Sequence, residues 1–236
     1  MKRLNLLFTL SSINVLLVSI ERFSFTTKIL LQPYSFLRLH EVFQMTTLIL
    51  FTVLLPFLML KIVSLNFESL KKRWGFTLSL IFLIGVYFYA TGNGLHEVSS
   101  FNFNYFCDTK NFTGDLCGSM FFNDYYTGNI YYFIGGLLMV VPILLFERKN
   151  QSPKFNSKDM IILVINSIVY ALAIFAYSGF DRVLVGLVYS IIVTLISLYI
   201  FWQIRRNYTK YPVITYTSLT YLLGTAAALA IRLIKG

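Results

Sequence analysis

Long runs of apolar residues, separated by shorter polar segments, recur seven times along this chain. A helix needs about 20 mainly apolar residues to cross the hydrocarbon core of a bilayer, and it satisfies its own backbone hydrogen bonds there. The runs are continuous and lack the alternation of transmembrane β-strands. The pattern predicts an all-α polytopic membrane protein, a bundle of seven transmembrane helices, with spans at about 4–20, 42–60, 76–90, 130–146, 160–178, 183–202 and 213–234.

The chain, residues 1–236, is predicted to form a single integral membrane domain, with residues 91–129 as a long loop between the third and fourth spans. The first apolar run follows a basic N-terminal tripeptide, as a secretory signal does, but the sequence before Ala90 has no alanine and offers no small-residue cleavage site. We therefore expect this run to remain as the first span. The segment 91–94, Thr-Gly-Asn-Gly, is interpreted as a helix end or a close helix crossing.

Composition and charge support the membrane interpretation. The sequence is 57% hydrophobic and only 13% charged, whereas soluble domains are about 25% charged. The segments on one predicted side of the membrane contain 13 Lys and Arg and three Asp and Glu. Those on the other side contain seven Lys and Arg and seven Asp and Glu, so the first side carries the whole net charge of +10. By the positive-inside rule the N-terminus is cytoplasmic and the C-terminus extracytoplasmic. The expected partners are membrane lipids; the charge requires no nucleic acid, and a protein partner stays unknown.

The cysteine pattern agrees with this orientation. Cys107 and Cys117 are the two cysteines of the chain, and both fall in the predicted outer loop. Disulfides persist outside the cytosol, so we expect a bridge between them, with two free thiols as the alternative. The expected location is the plasma membrane or a bacterial inner membrane.

Polar residues converge on the predicted outer face. The same tetrapeptide, Leu-His-Glu-Val, occurs at 39–42 and at 95–98, and it contains both histidines of the chain. Asp124 lies just before the fourth span. Imidazole and carboxylate groups together can hold a divalent metal ion or carry out general acid–base catalysis. The sequence therefore predicts His40, His96 and Asp124 as metal ligands, with zinc the expected ion. Glu41 and Glu97 are the catalytic candidates, and Glu21 is a lesser one.

Three classes of function fit this pattern. The first is a metal-dependent or His/carboxylate hydrolase or transferase that acts on a lipid or lipid-linked substrate at the outer interface. The second is a non-catalytic receptor or assembly component, and the third is a transporter. The plainer alternative is that the histidines and glutamates only solvate helix ends, with Arg38 and Glu41 forming an exposed ion pair of little energetic value.

Overall fold

The fold is a bundle of helices. The computed structural model describes residues 1–112 and 114–235, and within these ranges it contains seven helices long and apolar enough to cross a membrane. Seven helices of this kind confirm the predicted number of spans and indicate an integral membrane protein. They are α1 (Lys2–Glu21), α2 (Leu39–Val63), α3 (Arg73–Phe106), α4 (Asp115–Asn150), α5 (Ser157–Phe180), α6 (Val185–Ile204) and α7 (Pro212–Lys235).

The two ends of the bundle are named here for reference. The disulfide end carries the Cys107–Cys117 bridge, which the structure contains as predicted. The opposite end, where α2, α4 and α6 finish, is called the basic end, because the 13 Lys and Arg assigned to one side of the membrane lie in its segments.

The long outer loop predicted for residues 91–129 is wrong. Helix α3 continues to Phe106 and α4 begins at Asp115, so the connection shrinks to residues 107–114, of which Thr113 lies outside the described residues. Polar residues interrupt the apolar run after Ala90, which ended the predicted span. The helix continues because some of those polar side chains, such as Asn93 and Glu97, are buried inside the protein.

Helices α3 and α4 cross closely at two pairs of glycines. A Cβ atom on Gly85 would lie 2.9 Å from the carbonyl oxygen of Gly135, and one on Gly92 would lie 2.7 Å from that of Gly128. The Gly92 Cβ would also come within 2.2 Å of the backbone nitrogen of Tyr132. Of the two interpretations of segment 91–94, the close helix crossing is confirmed and the helix end is wrong.

The other helices complete the bundle around this pair. Helix α1 packs on α2 and α5, α4 packs on α2 and α6, and α7 packs on α5 and α6. Phe8 of α1 and Tyr216 of α7, for example, stack with their ring centroids 4.3 Å apart. The core is therefore continuous from the first helix to the last.

A buried carboxylate joins two helices at the basic end. Glu147 of α4 is fully buried and accepts hydrogen bonds from the backbone N–H groups of Val213 and Ile214 at 3.1 and 2.7 Å, and from the Ser152 hydroxyl at 2.6 Å. The first N–H groups of a helix have no partner within it, and a negative charge there is favourable. Glu147 therefore caps α7 from a neighbouring helix.

Candidate functional site

Both histidines lie at the disulfide end, and each is paired with a buried carboxylate from the neighbouring helix. His40 of α2 pairs with Glu21 of α1, and His96 of α3 pairs with Asp124 of α4. Three of these four residues are at least nine-tenths buried, and His96 is the most exposed, with 26% of its side chain accessible. These two groups are called here the His40 pair and the His96 pair.

The His40 pair is surrounded by hydrogen-bond donors. Nδ1 of His40 contacts one carboxylate oxygen of Glu21, and the side-chain amide of Gln44 donates to the same oxygen at 3.1 Å. The hydroxyls of Ser24 and Thr26 donate to the other oxygen. These donors occupy both oxygens of the buried Glu21 carboxylate and fix its orientation toward His40.

The His96 pair depends on the α3–α4 crossing. Nδ1 of His96 lies 2.7 Å from a carboxylate oxygen of Asp124, which is 2% exposed. One helical turn after Asp124, a Cβ atom on Gly128 would lie 2.9 Å from the backbone nitrogen of His96. The bare backbone of this glycine allows the two helices to approach closely enough for the histidine to reach the carboxylate.

Each pair is accompanied by a π-helical turn. One turn covers Gln44–Leu48 in α2 and begins four residues after His40, and the other covers Asn123–Gly128 in α4 and includes Asp124. A π-helical turn inserts an extra residue into a helix and changes the direction of the following side chains, and such turns occur frequently at functional sites. Both π-helical turns of the described residues therefore lie at the end of the bundle that holds the two pairs.

Glu41 contacts Arg38 at the start of α2. Its carboxylate contacts the Arg38 guanidinium, with Nε at 2.9 Å, and accepts the Arg38 backbone N–H at 3.0 Å. This pair is not the exposed one considered from the sequence, because the Glu41 side chain is only 2% exposed. Both oxygens are used to close the start of α2, as in a capping box.

Glu97 remains without such partners. It is 8% exposed, and within residues 1–112 and 114–235 no group donates a hydrogen bond to its carboxylate. The charged groups that act on it are His96, Arg22, His40 and Glu41. Glu97 is therefore a buried carboxylate within electrostatic range of both histidines.

The predicted metal-ligand set is divided between the two pairs. His96 and Asp124 are in contact, but His40 contacts Glu21 instead of joining them. Among the residues the structure describes, there is no group of three or more His, Cys, Asp or Glu side chains placed to hold a metal ion. A zinc site formed by His40, His96 and Asp124 consequently has no geometric support.

Two arginines and the turn between α5 and α6 lie close to the two pairs. Arg38 lies over the Phe101 ring, 5.2 Å from its centroid, and Arg182 lies over Tyr125 at 5.5 Å. In the turn between α5 and α6, burial raises the pKa of the Asp181 carboxyl above its usual value, and the negative charge of Asp124 adds to this effect. The α5–α6 turn therefore belongs to the electrostatic surroundings of the site.

A carboxylate next to a histidine is an arrangement that can support proton transfer. Where Nδ1 of a histidine donates to a carboxylate, the proton stays on that nitrogen and Nε2 can accept one. In the part of the chain that the structure covers, Nε2 of neither histidine has a hydrogen-bond partner. Carboxylate-oriented histidines of this kind act as general bases and, once protonated, as general acids.

Sequence reasoning ranked three of the observed contacts too low or missed them. Glu21 is a minor candidate in the sequence, yet it is the partner of His40. Gln44 and Arg38 carry no chemistry of their own and gain a role only through the carboxylates they contact. A usable signal is the position of Glu21 at the end of α1, the helix directly before α2 in the chain.

Comparison with known proteins adds no relative to these observations. No model of a known protein family, no curated protein and no solved structure matches this chain.

Proposed function

We propose that this protein is an integral membrane enzyme, a hydrolase or transferase that uses His40 and His96 for proton transfer. The observation that carries the proposal is the pairing of each histidine, through Nδ1, with a buried carboxylate at the same end of the bundle. In the reaction, one imidazole Nε2 removes the proton from an attacking water or hydroxyl group. The other, in its protonated form, gives a proton to the oxygen of the leaving group.

Glu97 completes this machinery. Its buried carboxylate lies within range of both imidazoles, and in its ionised form it stabilises the positive charge that develops on an imidazole when it takes up a proton. A negative charge of this kind is more effective in a site with little water than at a surface. We therefore assign Glu97 to the site and Glu41 to its support.

A lipid or lipid-linked substrate is favoured by the surface around the site. Four aromatic side chains between α1 and α2 are exposed: Phe23 by 90%, Tyr34 by 74%, Phe25 by 71% and Phe36 by 65%. Aromatic rings concentrate at the level of the lipid headgroups. A substrate that lies in the membrane could reach the two histidines across this rim without passing through the bundle.

The test is turnover of membrane lipid by the purified protein. Wild-type protein in nanodiscs of total lipid from its expression host is expected to convert at least one lipid species with time, as followed by mass spectrometry. H40Q and H96Q should each lower the rate by about 100-fold or more, which is the typical contribution of general acid–base catalysis. E97Q should lower it less.

E68Q is the matched control, because Glu68 is an exposed carboxylate at the basic end, paired with Lys71 at 2.7 Å. It should leave the rate unchanged. Equal rates for wild type, H40Q and H96Q, in samples with the same thermal stability, would contradict the proposal.

The second candidate is a binding or assembly component without chemistry. The four exposed aromatic side chains favour it, because clustered exposed aromatic residues also mark protein interfaces. This function predicts a partner that copurifies with wild type and with H96Q but is lost from an F23S/F36S variant. Lipid turnover that depends on His96 would decide against it.

A further inference from the structure

A separate crevice lies at the basic end, between α3 and α4. It has a volume of about 580 Å³ and is open on one side. Four of the lining residues come from two successive turns of one face of α3. The other two come from α4 and are one turn apart. The six are Arg73, Trp74, Thr77, Leu78, Leu145 and Lys149.

The crevice is positively charged at its mouth. Arg73 and Lys149 are its two charged residues, and the six lining residues include no acid. Nζ of Lys149 lies 4.8 Å from the ring centroid of Trp74, so the ammonium group is held over the indole face. Lys72 and Arg148, next to these residues in sequence, add to the positive charge.

The inner part of the crevice is apolar, and the same helix carries exposed apolar side chains. Leu78 and Leu145 line it. Further along α3, Phe76, Leu80 and Leu83 are 57, 44 and 62% exposed, as expected of side chains that face acyl chains. A ligand of this crevice therefore meets two cations at one end and hydrocarbon-facing residues at the other.

We infer that this crevice binds an anionic phospholipid from the surrounding bilayer. Its phosphate would lie between Arg73 and Lys149, with an acyl chain along Leu78 and Leu145. Basic pockets between transmembrane helices recognise anionic headgroups in this way, and indole rings favour the same depth. A phospholipid fits better than a free phosphate, because half of the lining is apolar and open to the acyl-chain region.

The inference is independent of the proposed function, since the crevice lies at the opposite end of α3 and α4 from His96 and Asp124. Binding can therefore be tested without knowledge of a substrate, and the H40Q and H96Q variants should retain it.

Trp74 provides a direct probe. The chain has two tryptophans, so in a W202F variant all tryptophan fluorescence comes from the crevice. The protein is reconstituted in phosphatidylcholine bilayers that contain increasing mole fractions of a brominated lipid, which quenches nearby tryptophan. One series uses brominated phosphatidylglycerol, and the other uses brominated phosphatidylcholine. We expect the anionic lipid to quench Trp74 at a mole fraction at least about fivefold lower, since each nearby cation contributes about that factor.

Charge variants on the same W202F background separate a specific site from general attraction. R73Q/K149Q should reduce the preference to about one. K154Q/K158Q, which removes two exposed charges from the same end outside the crevice, should retain it. If the double variant at the crevice does not fold, R73Q and K149Q alone should each lower the preference.

Two results would overturn the inference. One is equal quenching by the two brominated lipids in the W202F protein. The other is an equal loss of preference in R73Q/K149Q and K154Q/K158Q, which would show that the lipid responds only to the total charge of this end.

Discussion

At the scale of single residues, the buried charges of this protein have specific structural partners. Glu21 holds His40, Asp124 holds His96, and Glu147 holds the first N–H groups of α7. An unpaired buried charge is very costly, so each such pair fixes the position of one helix against another. Glu97 is the exception, since its carboxylate has no hydrogen-bond donor among the described residues.

Glu147 offers the clearest test of this principle. Replacement by alanine leaves two buried backbone N–H groups without an acceptor, at a cost of about 1–3 kcal/mol each. We expect E147A to lower the midpoint of thermal unfolding in detergent clearly, and E147Q, which keeps one acceptor oxygen, to lower it less. The measurement is helical circular dichroism against temperature.

E68A is the control for E147A, because it removes an exposed carboxylate from the same end and should change the midpoint little. Equal midpoints for E147A and wild type would mean that the capping contact contributes nothing to stability.

The sequence predicts which end of the bundle the site residues occupy, but not which of them are in contact. The convergence of His40, His96, Glu97 and Asp124 on one end follows from the order and direction of the helices, and it could be predicted. Which carboxylate contacts which imidazole could not, because it depends on the rotation of each helix about its axis. That rotation is set by packing and by the two π-helical turns, and no apolar pattern marks them.

At the scale of helices, the α3–α4 crossing positions the His96 pair. Two glycines seven residues apart on α3 face two glycines seven residues apart on α4, with Gly85 opposite Gly135 and Gly92 opposite Gly128. Small residues allow backbones to approach closely in membranes, where van der Waals packing drives helix association. His96 lies one turn after Gly92 in α3, and Asp124 lies one turn before Gly128 in α4. Both therefore lie on the side of the Gly92–Gly128 contact that faces the disulfide end.

Replacement of Gly92 by alanine should separate the two helices. The new Cβ would lie 2.2 Å from a backbone nitrogen of α4, so the helices must move apart. We expect G92A to lose about 1–3 kcal/mol of stability, which is typical of an overpacked core, together with its His96-dependent turnover. Thermal unfolding and the lipid assay measure the two effects.

G94A is the matched control in the same helix, since a Cβ atom on Gly94 would meet nothing within 4 Å. It should be as stable as wild type or slightly more stable, because alanine favours helix over glycine. Similar losses in both variants would show that helix propensity, and not the crossing, explains the effect.

The helices themselves could be predicted more reliably than their ends. Six of the seven apolar runs each lie within one observed helix, and the run at 183–202 begins two residues before α6. The error of 16 residues at the end of α3 has a physical cause, since a hydropathy pattern detects contact with lipid. It does not detect a helix that continues with polar side chains turned into the protein.

At the scale of the whole molecule, the charge distribution sets the expected orientation. The segments at the basic end carry the whole net charge of +10, so the N-terminus is expected in the cytoplasm and the C-terminus outside it. In a bacterial host, alkaline phosphatase fused after residue 236 should be active, and green fluorescent protein at that position should be dark. Fusions after residue 154, in the connection between α4 and α5, should give the opposite pattern.

These four fusions check one another. A fluorescent C-terminal fusion combined with active phosphatase after residue 154 would show that the orientation is reversed, and that the two histidine pairs face the cytoplasm.

The pairing of the histidines also fixes when the site can form during synthesis. The His40 pair joins α1 to α2 and the His96 pair joins α3 to α4, so each uses two helices that leave the ribosome one after the other. Neither pair needs a residue beyond Asp124, so both can assemble without α5, α6 or α7. Helix α7, in contrast, is capped by Glu147. This residue precedes Pro212, the first residue of α7, by 65 positions in the chain. The last helix therefore docks onto a carboxylate that is synthesised before it.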